Sequence, residues 1–328
     1  MKLATLKDGS RDGQLVVVSR DLALAHFATG IATRMQQLLD DWNFISSPLE
    51  DLYATLNGGK ARHAFAFDPR LCMAPLPRAG QCVDGAAYPH HAALQRQRRG
   101  EAEPDGQPAL PQLTQCASDH FLGAHDDAVF AEGNAADEDP AIDFEAGLAV
   151  ITGDVALGAG PETALEGVRL LMLANGWRLR HLPAGCNEAQ SRPATTFGPV
   201  AVTADELGEA WSGGRVHLSI ESRLNGRRFG LIQAGPEMRF HFGQLIAQLA
   251  RTRKVSAGSI VGSGAVGPSD LAQGGACIAD QRAAEALANG APGSAWLRFG
   301  DTLRVEMTGP DRHSLFGAIE QRVVESGG

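Results

Sequence analysis

The sequence is short of paired cysteines, of basic charge and of long apolar runs, and each shortage removes a class of protein. Five cysteines, at 72, 82, 116, 186 and 277, are spread over 328 residues. None forms a C-x-x-C pair and the number is odd, so neither a zinc knuckle nor a disulfide framework is indicated. The thiols read as small buried or surface groups. Acidic residues outnumber basic ones, 38 against 29, for a formal charge of -9. That balance repels a phosphate backbone, and no nucleic-acid partner is expected. No apolar run approaches the roughly 20 residues of a membrane helix. The opening residues lack an apolar segment followed by a small-residue cleavage site, so a cytoplasmic location and no membrane partner are expected.

What remains is an ordinary globular composition, 44% hydrophobic and 20% charged, long enough to bury a large core. Residues 1–70 read as a small opening unit, with a strand at 15–18, helices at 31–42 and 48–56, and a break at Asn57-Gly58-Gly59. Residues 71–328 read as the main domain. Residues 100–140 are loop-like. Beyond them, alternation over 142–151 predicts a strand. Leu165, Val168, Leu171 and Met172 predict a helix over 161–175, with Pro161 at its start and Asn175-Gly176 as its stop. A hairpin is expected about Asn225-Gly226 and a helix over 237–251. Strands are expected at 296–299, 303–307 and 314–324. The sum is an α+β chain dominated by antiparallel strands, without the alternation of a doubly wound sheet.

Three motifs carry chemistry. Gly262-Ser263-Gly264-Ala265-Val266-Gly267 fits G-x-G-x-x-G by letter, but Pro268-Ser269-Asp270 follows where a helix should start, which argues against a dinucleotide site. Its backbone amides suit a carboxylate or phosphate on a substrate instead. Asp119-His120 and His125-Asp126-Asp127 are rich in possible ligands, yet histidines five apart share a face of neither a helix nor a strand. They read as a solvated loop. In Asp143-Phe144-Glu145-Ala146-Gly147, positions 145 and 147 face the same side of a strand, so two carboxylates there could hold a hard divalent cation. Only Glu145 is present.

Several blocks taken in order resemble the fumarylacetoacetate hydrolase family, in its bacterial branch linked to aromatic-compound breakdown. They include Leu56-Asn57-Gly58-Gly59-Lys60-Ala61-Arg62-His63, Asp143-Phe144-Glu145-Ala146, Phe242-Gly243-Gln244-Leu245, the stretch from Ala257 to Gly264, and Phe299-Gly300-Asp301. The resemblance implies a small N-terminal domain followed by a mostly antiparallel β-roll, assembled as a homodimer. It implies a hydrolase in which magnesium or calcium, held by carboxylates, binds a small dicarbonyl acid of the fumarylacetoacetate or acylpyruvate type and stabilises the enolate left when a carbon–carbon bond breaks.

Carried over residue by residue, the resemblance makes His91 the catalytic base, although the Glu expected just after it is replaced at Ala93 or Leu94. Glu145 matches the first metal carboxylate, while the second and third fall at Gly147 and Gly176. Asp119, Asp126 and Asp127 are the carboxylates left that could complete the site. Arg180 and Arg192 match positions that bind a substrate carboxylate, Arg192 standing where relatives have Lys, and Gly264 belongs to the glycine loop. On these grounds restoring Glu at 147 and Asp at 176 should restore magnesium affinity. The alternative reading is a catalytically silent member that keeps the fold and an anion-binding cleft.

Overall fold

In the computed structural model, residues 1–327 are described except 99, 103–105, 107–108, 132–140, 183–187 and 272–273. Cys186 and most of the segment 182–189 thus lie outside the described residues.

The centre of the molecule is a pair of long antiparallel strands, Ile142–Thr152 and Val168–Leu179. They pair in register from Ile142 opposite Leu179, through Asp143 opposite Arg178 and Glu145 opposite Gly176, to Ile151 opposite Leu170. Every residue of the first strand is buried. One face carries Phe144, Ala146, Leu148 and Val150 with Leu171, Leu173 and Trp177 into the larger core. The other carries Ala149, Ile151, Leu170 and Met172 into a second core. On that second face, toward the start of Ile142–Thr152, the apolar run gives way to Gly147, Glu145 and Asp143. A polar site therefore sits at one end of a strand pair whose middle is apolar on both faces.

The predicted helix over 161–175 is corrected. A helix spans only Pro161–Glu166, and the chain runs on as a strand from Val168. Because this strand is covered on both faces, it is apolar at consecutive positions, and such a run satisfies helical spacing as readily as a strand pattern. Asn175 and Gly176 lie inside the strand and stop nothing.

An eleven-stranded sheet contains this pair. The Ile260–Gly262 strand joins it antiparallel to Ile142–Thr152 and parallel to Cys82–Gly85. On its other side Ala201–Val202 and Lys2–Leu6 continue the sheet, so the opening strands are part of it. A five-stranded sheet holds the hairpin Ser219–Leu224 and Arg227–Gln233 about Asn225, at φ 50°, and Gly226. The strands Thr302–Met307 and Ile319–Glu325 follow it, while 296–299 contributes an isolated bridge, Leu297 to Ile142. The helix expected over 237–251 is shorter, Phe242–Ala250, and the two early helices are Met35–Asp40 and Trp42–Asn57.

Phe144 has no exposed surface and meets Phe229 edge-on at 5.4 Å between ring centroids. Replacing it with Ala removes a large buried ring next to the site, and should cost about 3–5 kcal/mol in denaturant unfolding; a loss under about 1 kcal/mol would contradict this packing.

Candidate active site

The site grows from the Asp143–Arg178 end of the strand pair. Alternation puts Asp143 and Glu145 on the same face, and the neighbouring strand adds Arg178 and, just beyond its end, Arg180. Arg180 donates from Nε to Asp143 Oδ2 at 3.0 Å and from Nη2 to Glu145 Oε1 at 2.7 Å. Arg178 Nη2 bridges the second Glu145 oxygen, in a close ion pair, and Asp84 Oδ2 at 3.1 Å. Arg192 Nη1 reaches the same Asp84 oxygen at 3.2 Å. Three guanidinium groups thus meet three carboxylates. Burial raises the cost of ionising Glu145, but Arg178 and Arg180 outweigh it and hold the carboxyl well below its ordinary range.

The remaining acceptors are met by backbone. Asp143 takes the N–H groups of Ile278 at 2.7 Å and Ala279 at 3.1 Å, so it closes the N-terminus of the helix Ile278–Asn289, where negative charge is favoured. Burial still raises its pKa above the ordinary value, Arg180 opposing. Asp84 Oδ1 accepts from Gly264 N at 2.8 Å. Gly264 has φ +76°, and a Cβ there would collide with the Gly85 carbonyl oxygen, so both conformation and space require glycine. Among the described residues the α-helix that follows the motif starts at Ile278, and residues 263–268 are not helical, so the glycine motif does not open a dinucleotide-binding helix.

His91 lies on the helix Pro89–Arg98, where Pro89 starts the first turn and Gln95 follows one turn after the histidine. Its Nδ1 is 2.8 Å from Asp280 Oδ1, which also accepts from Gln95 Nε2 at 2.9 Å. The local acidic partner missing after His91 is therefore replaced by a distant one, in the first turn of Ile278–Asn289. Burial opposes charge on the imidazole, but Asp280, with Glu145 adding to it, raises the His91 pKa above the ordinary value. With Asp280 ionised, Nδ1 carries the proton and Nε2 is left to accept. Nε2 faces Glu145 Oε1 at 4.0 Å, and the side chain keeps 23% of its surface exposed.

His91, Glu145, Arg180, Arg192 and Gly264 all line one cavity of about 1090 Å³. Arg178, Asp84 and Trp296 line it too, with Arg282 stacked over the Trp296 ring at 4.4 Å. Asp119, Asp126 and Asp127 do not line it; Asp126 pairs with Lys7 at 2.6 Å and accepts from Gly123 N, so these residues do not complete the site. Arg180 and Gly264, matched to substrate binding, also hold the site's own carboxylates.

One model of the family, the fumarylacetoacetase N-terminal domain 2, matches residues 1–78, and another, the fumarylacetoacetate hydrolase C-terminal domain, matches residues 81–324. The chain belongs to the fumarylacetoacetate hydrolase family. No curated protein matches it in sequence. Maleylpyruvate hydrolase from Sphingobium sp. SYK-6 is similar in structure, with TM-score 0.65 and 16% identity over 99% of this chain and 100% of that one. The same enzyme with manganese(II) and pyruvate bound gives TM-score 0.65 and 15% identity over all of both chains. Fumarylacetoacetate hydrolase from Exiguobacterium antarcticum gives TM-score 0.61 and 17% identity, over 99% and 100%. At these identities the likeness is one of fold.

The divalent ion implied by this family does not fit the residues around Glu145. A Cβ at Gly147 would collide with the Gly264 carbonyl oxygen, and one at Gly176 would lie 3.1 Å from both terminal nitrogens of Arg178. A carboxylate restored at 147 would thus meet backbone, and one at 176 would displace the Arg178 guanidinium, contrary to expectation. Beneath the cavity a void of about 30 Å³ is left against Glu145, Gly147, Gly176 and Arg178. Magnesium needs six oxygens in near-octahedral array. The carboxylates at this void, Asp84 and Glu145, are both already paired with arginine. Elsewhere, ligand atoms of His91, Cys277 and Asp280 lie within 4.8 Å of one another. Burial lifts the Cys277 thiol well above its ordinary pKa.

Because Asp280 raises the His91 pKa, the charged pair adds stability below pH about 6.5 and loses it as pH rises through the folded value. Nuclear magnetic resonance titration of the His91 ring should give a midpoint above about 6.5, and Asp280→Asn should move it downward. An unmoved midpoint would contradict the dyad.

Proposed function

We propose that this family member is an enzyme that hydrolyses a carbon–carbon bond in a small dicarbonyl acid of the fumarylacetoacetate or acylpyruvate type, as in aromatic-compound breakdown. The observation that carries this reading is the His91–Asp280 pair, with His91 on the wall of an arginine-lined cavity. His91 Nε2 takes a proton from water, and the resulting hydroxide adds to a ketone carbonyl. The tetrahedral adduct collapses to a carboxylic acid as the carbon–carbon bond breaks, the bond's electron pair passes to the other fragment as the enolate of its remaining ketone, and the proton held on the imidazole is returned to that fragment's carbon to complete the hydrolysis. Asp280 keeps the imidazole in the required tautomer and balances its charge once protonated. Positive potential from Arg178, Arg180 and Arg192 favours the substrate carboxylate and the enolate oxygen. The same base could move a proton beside a carbonyl without cleavage, and one protein of this fold, from Mycobacterium smegmatis, is a 5-carboxymethyl-2-hydroxymuconate delta-isomerase.

A silent member with an anion-binding cleft is the second reading. Its support is the commitment of Arg180 to Asp143 and Glu145 within the protein.

Acylpyruvates and fumarylacetoacetate should be consumed by the wild-type protein in a direct absorbance assay. His91→Ala should lower kcat by about 100-fold or more, and Asp280→Asn should shift the pH–rate profile to lower pH. No turnover of any of these acids, with carboxylates still bound in calorimetry, would favour the silent reading; an unchanged rate in His91→Ala would remove the histidine from the mechanism.

A further inference from the structure

We infer that the Arg178 guanidinium is the resident cation of this site, so that the site receives anionic ligands without a divalent metal. The inference goes beyond the reading of His91 and stands whether or not a substrate turns over.

Three observations converge on it. First, space: the two glycines that stand where the resemblance expects carboxylates are not open positions. Position 147 is closed by the Gly264 carbonyl, and the room a side chain would take at 176 is filled by the Arg178 guanidinium, two residues along the same strand and on the same face. Second, coordination: one nitrogen of Arg178 bridges Glu145 and Asp84, the two carboxylates at the void. One oxygen of each is spent on a planar cation whose donors fit carboxylates and which stays charged at any working pH, and the others accept from Arg180 and Gly264 N. Third, charge: Arg178, Arg180 and Arg192 balance Asp84, Asp143 and Glu145, three against three, and His91 with Asp280 adds one of each. Among these described residues a divalent ion would add two positive charges to a set already paired, which is costly. Arg178 Nε is buried and bonds to no atom among the described residues, so its guanidinium is held through the terminal nitrogens.

The protein exchanges two carboxylates and an ion for two glycines and an arginine. A ligand oxygen that would otherwise meet a metal then meets a guanidinium. The class of ligand that fits is a small carboxylate or enolate, accepted through hydrogen bonds from nitrogen.

Manganese titration of metal-stripped protein by calorimetry tests this without any substrate. The wild type should give no saturable heat up to millimolar manganese that depends on Glu145, as judged against Glu145→Gln. Arg178→Ala leaves Glu145 and Asp84 facing a gap and should bind manganese at least about tenfold more tightly than the wild type, the gain being lost in the Arg178→Ala, Glu145→Gln double variant. Arg178→Lys keeps a cation in place and should remain as indifferent to manganese as the wild type, which guards against misfolding of the alanine variant. Micromolar binding by the wild type that Glu145→Gln abolishes would overturn the inference, as would a folded Arg178→Ala that gains nothing.

Discussion

The site depends on the ion pairing of Glu145 with Arg178 and Arg180 across two central strands. A carboxylate with 7% of its surface exposed is expensive to ionise unless opposite charge stands against it. Here both oxygens are met, one by each guanidinium, and the strand register guarantees the meeting. Asp143 lies opposite Arg178 and Glu145 opposite Gly176. A one-residue slip would send the carboxylates into the Phe144 and Trp177 core, so the apolar face locks the polar one.

From this pair the network spreads outward by shared acceptors. Arg178 carries it to Asp84 and so to the Gly264 loop; Arg180 carries it to Asp143 and so to the start of Ile278–Asn289. That helix also supplies Asp280, which aims His91. His91 and the arginines are therefore parts of one assembly built from distant segments, and disturbance at Glu145 reaches both. Such mutual dependence holds an imidazole and several guanidinium groups in fixed relation.

Much of this was legible in the sequence, and the exceptions have physical reasons. The alternation over 142–151 and the Asn225-Gly226 turn announce themselves because a strand and a tight turn constrain residue type locally. His91, Glu145, Arg180, Arg192 and Gly264, carried over from the family resemblance, line a common cavity. Asp280 was invisible because its relation to His91 is made by two helices packing together, 189 positions apart. The sequence predicts a helix over 161–175 where the first part of the strand Val168–Leu179 runs, because burial on both faces erases its alternation, and only the strand geometry brings Arg178 over Gly176. The one available signal was a glycine two residues before an arginine, which is intelligible as room made for a side chain only once the strand is known.

The central claim is that a protein guanidinium stands where a divalent ion would be required. A crystal structure of the protein grown in millimolar manganese, with anomalous data collected at the manganese edge, tests it most directly. The account predicts continuous density for Arg178 between Glu145 and Asp84, with no anomalous peak within coordination distance of Glu145. A strong peak bound to Glu145, with Arg178 displaced, would contradict it.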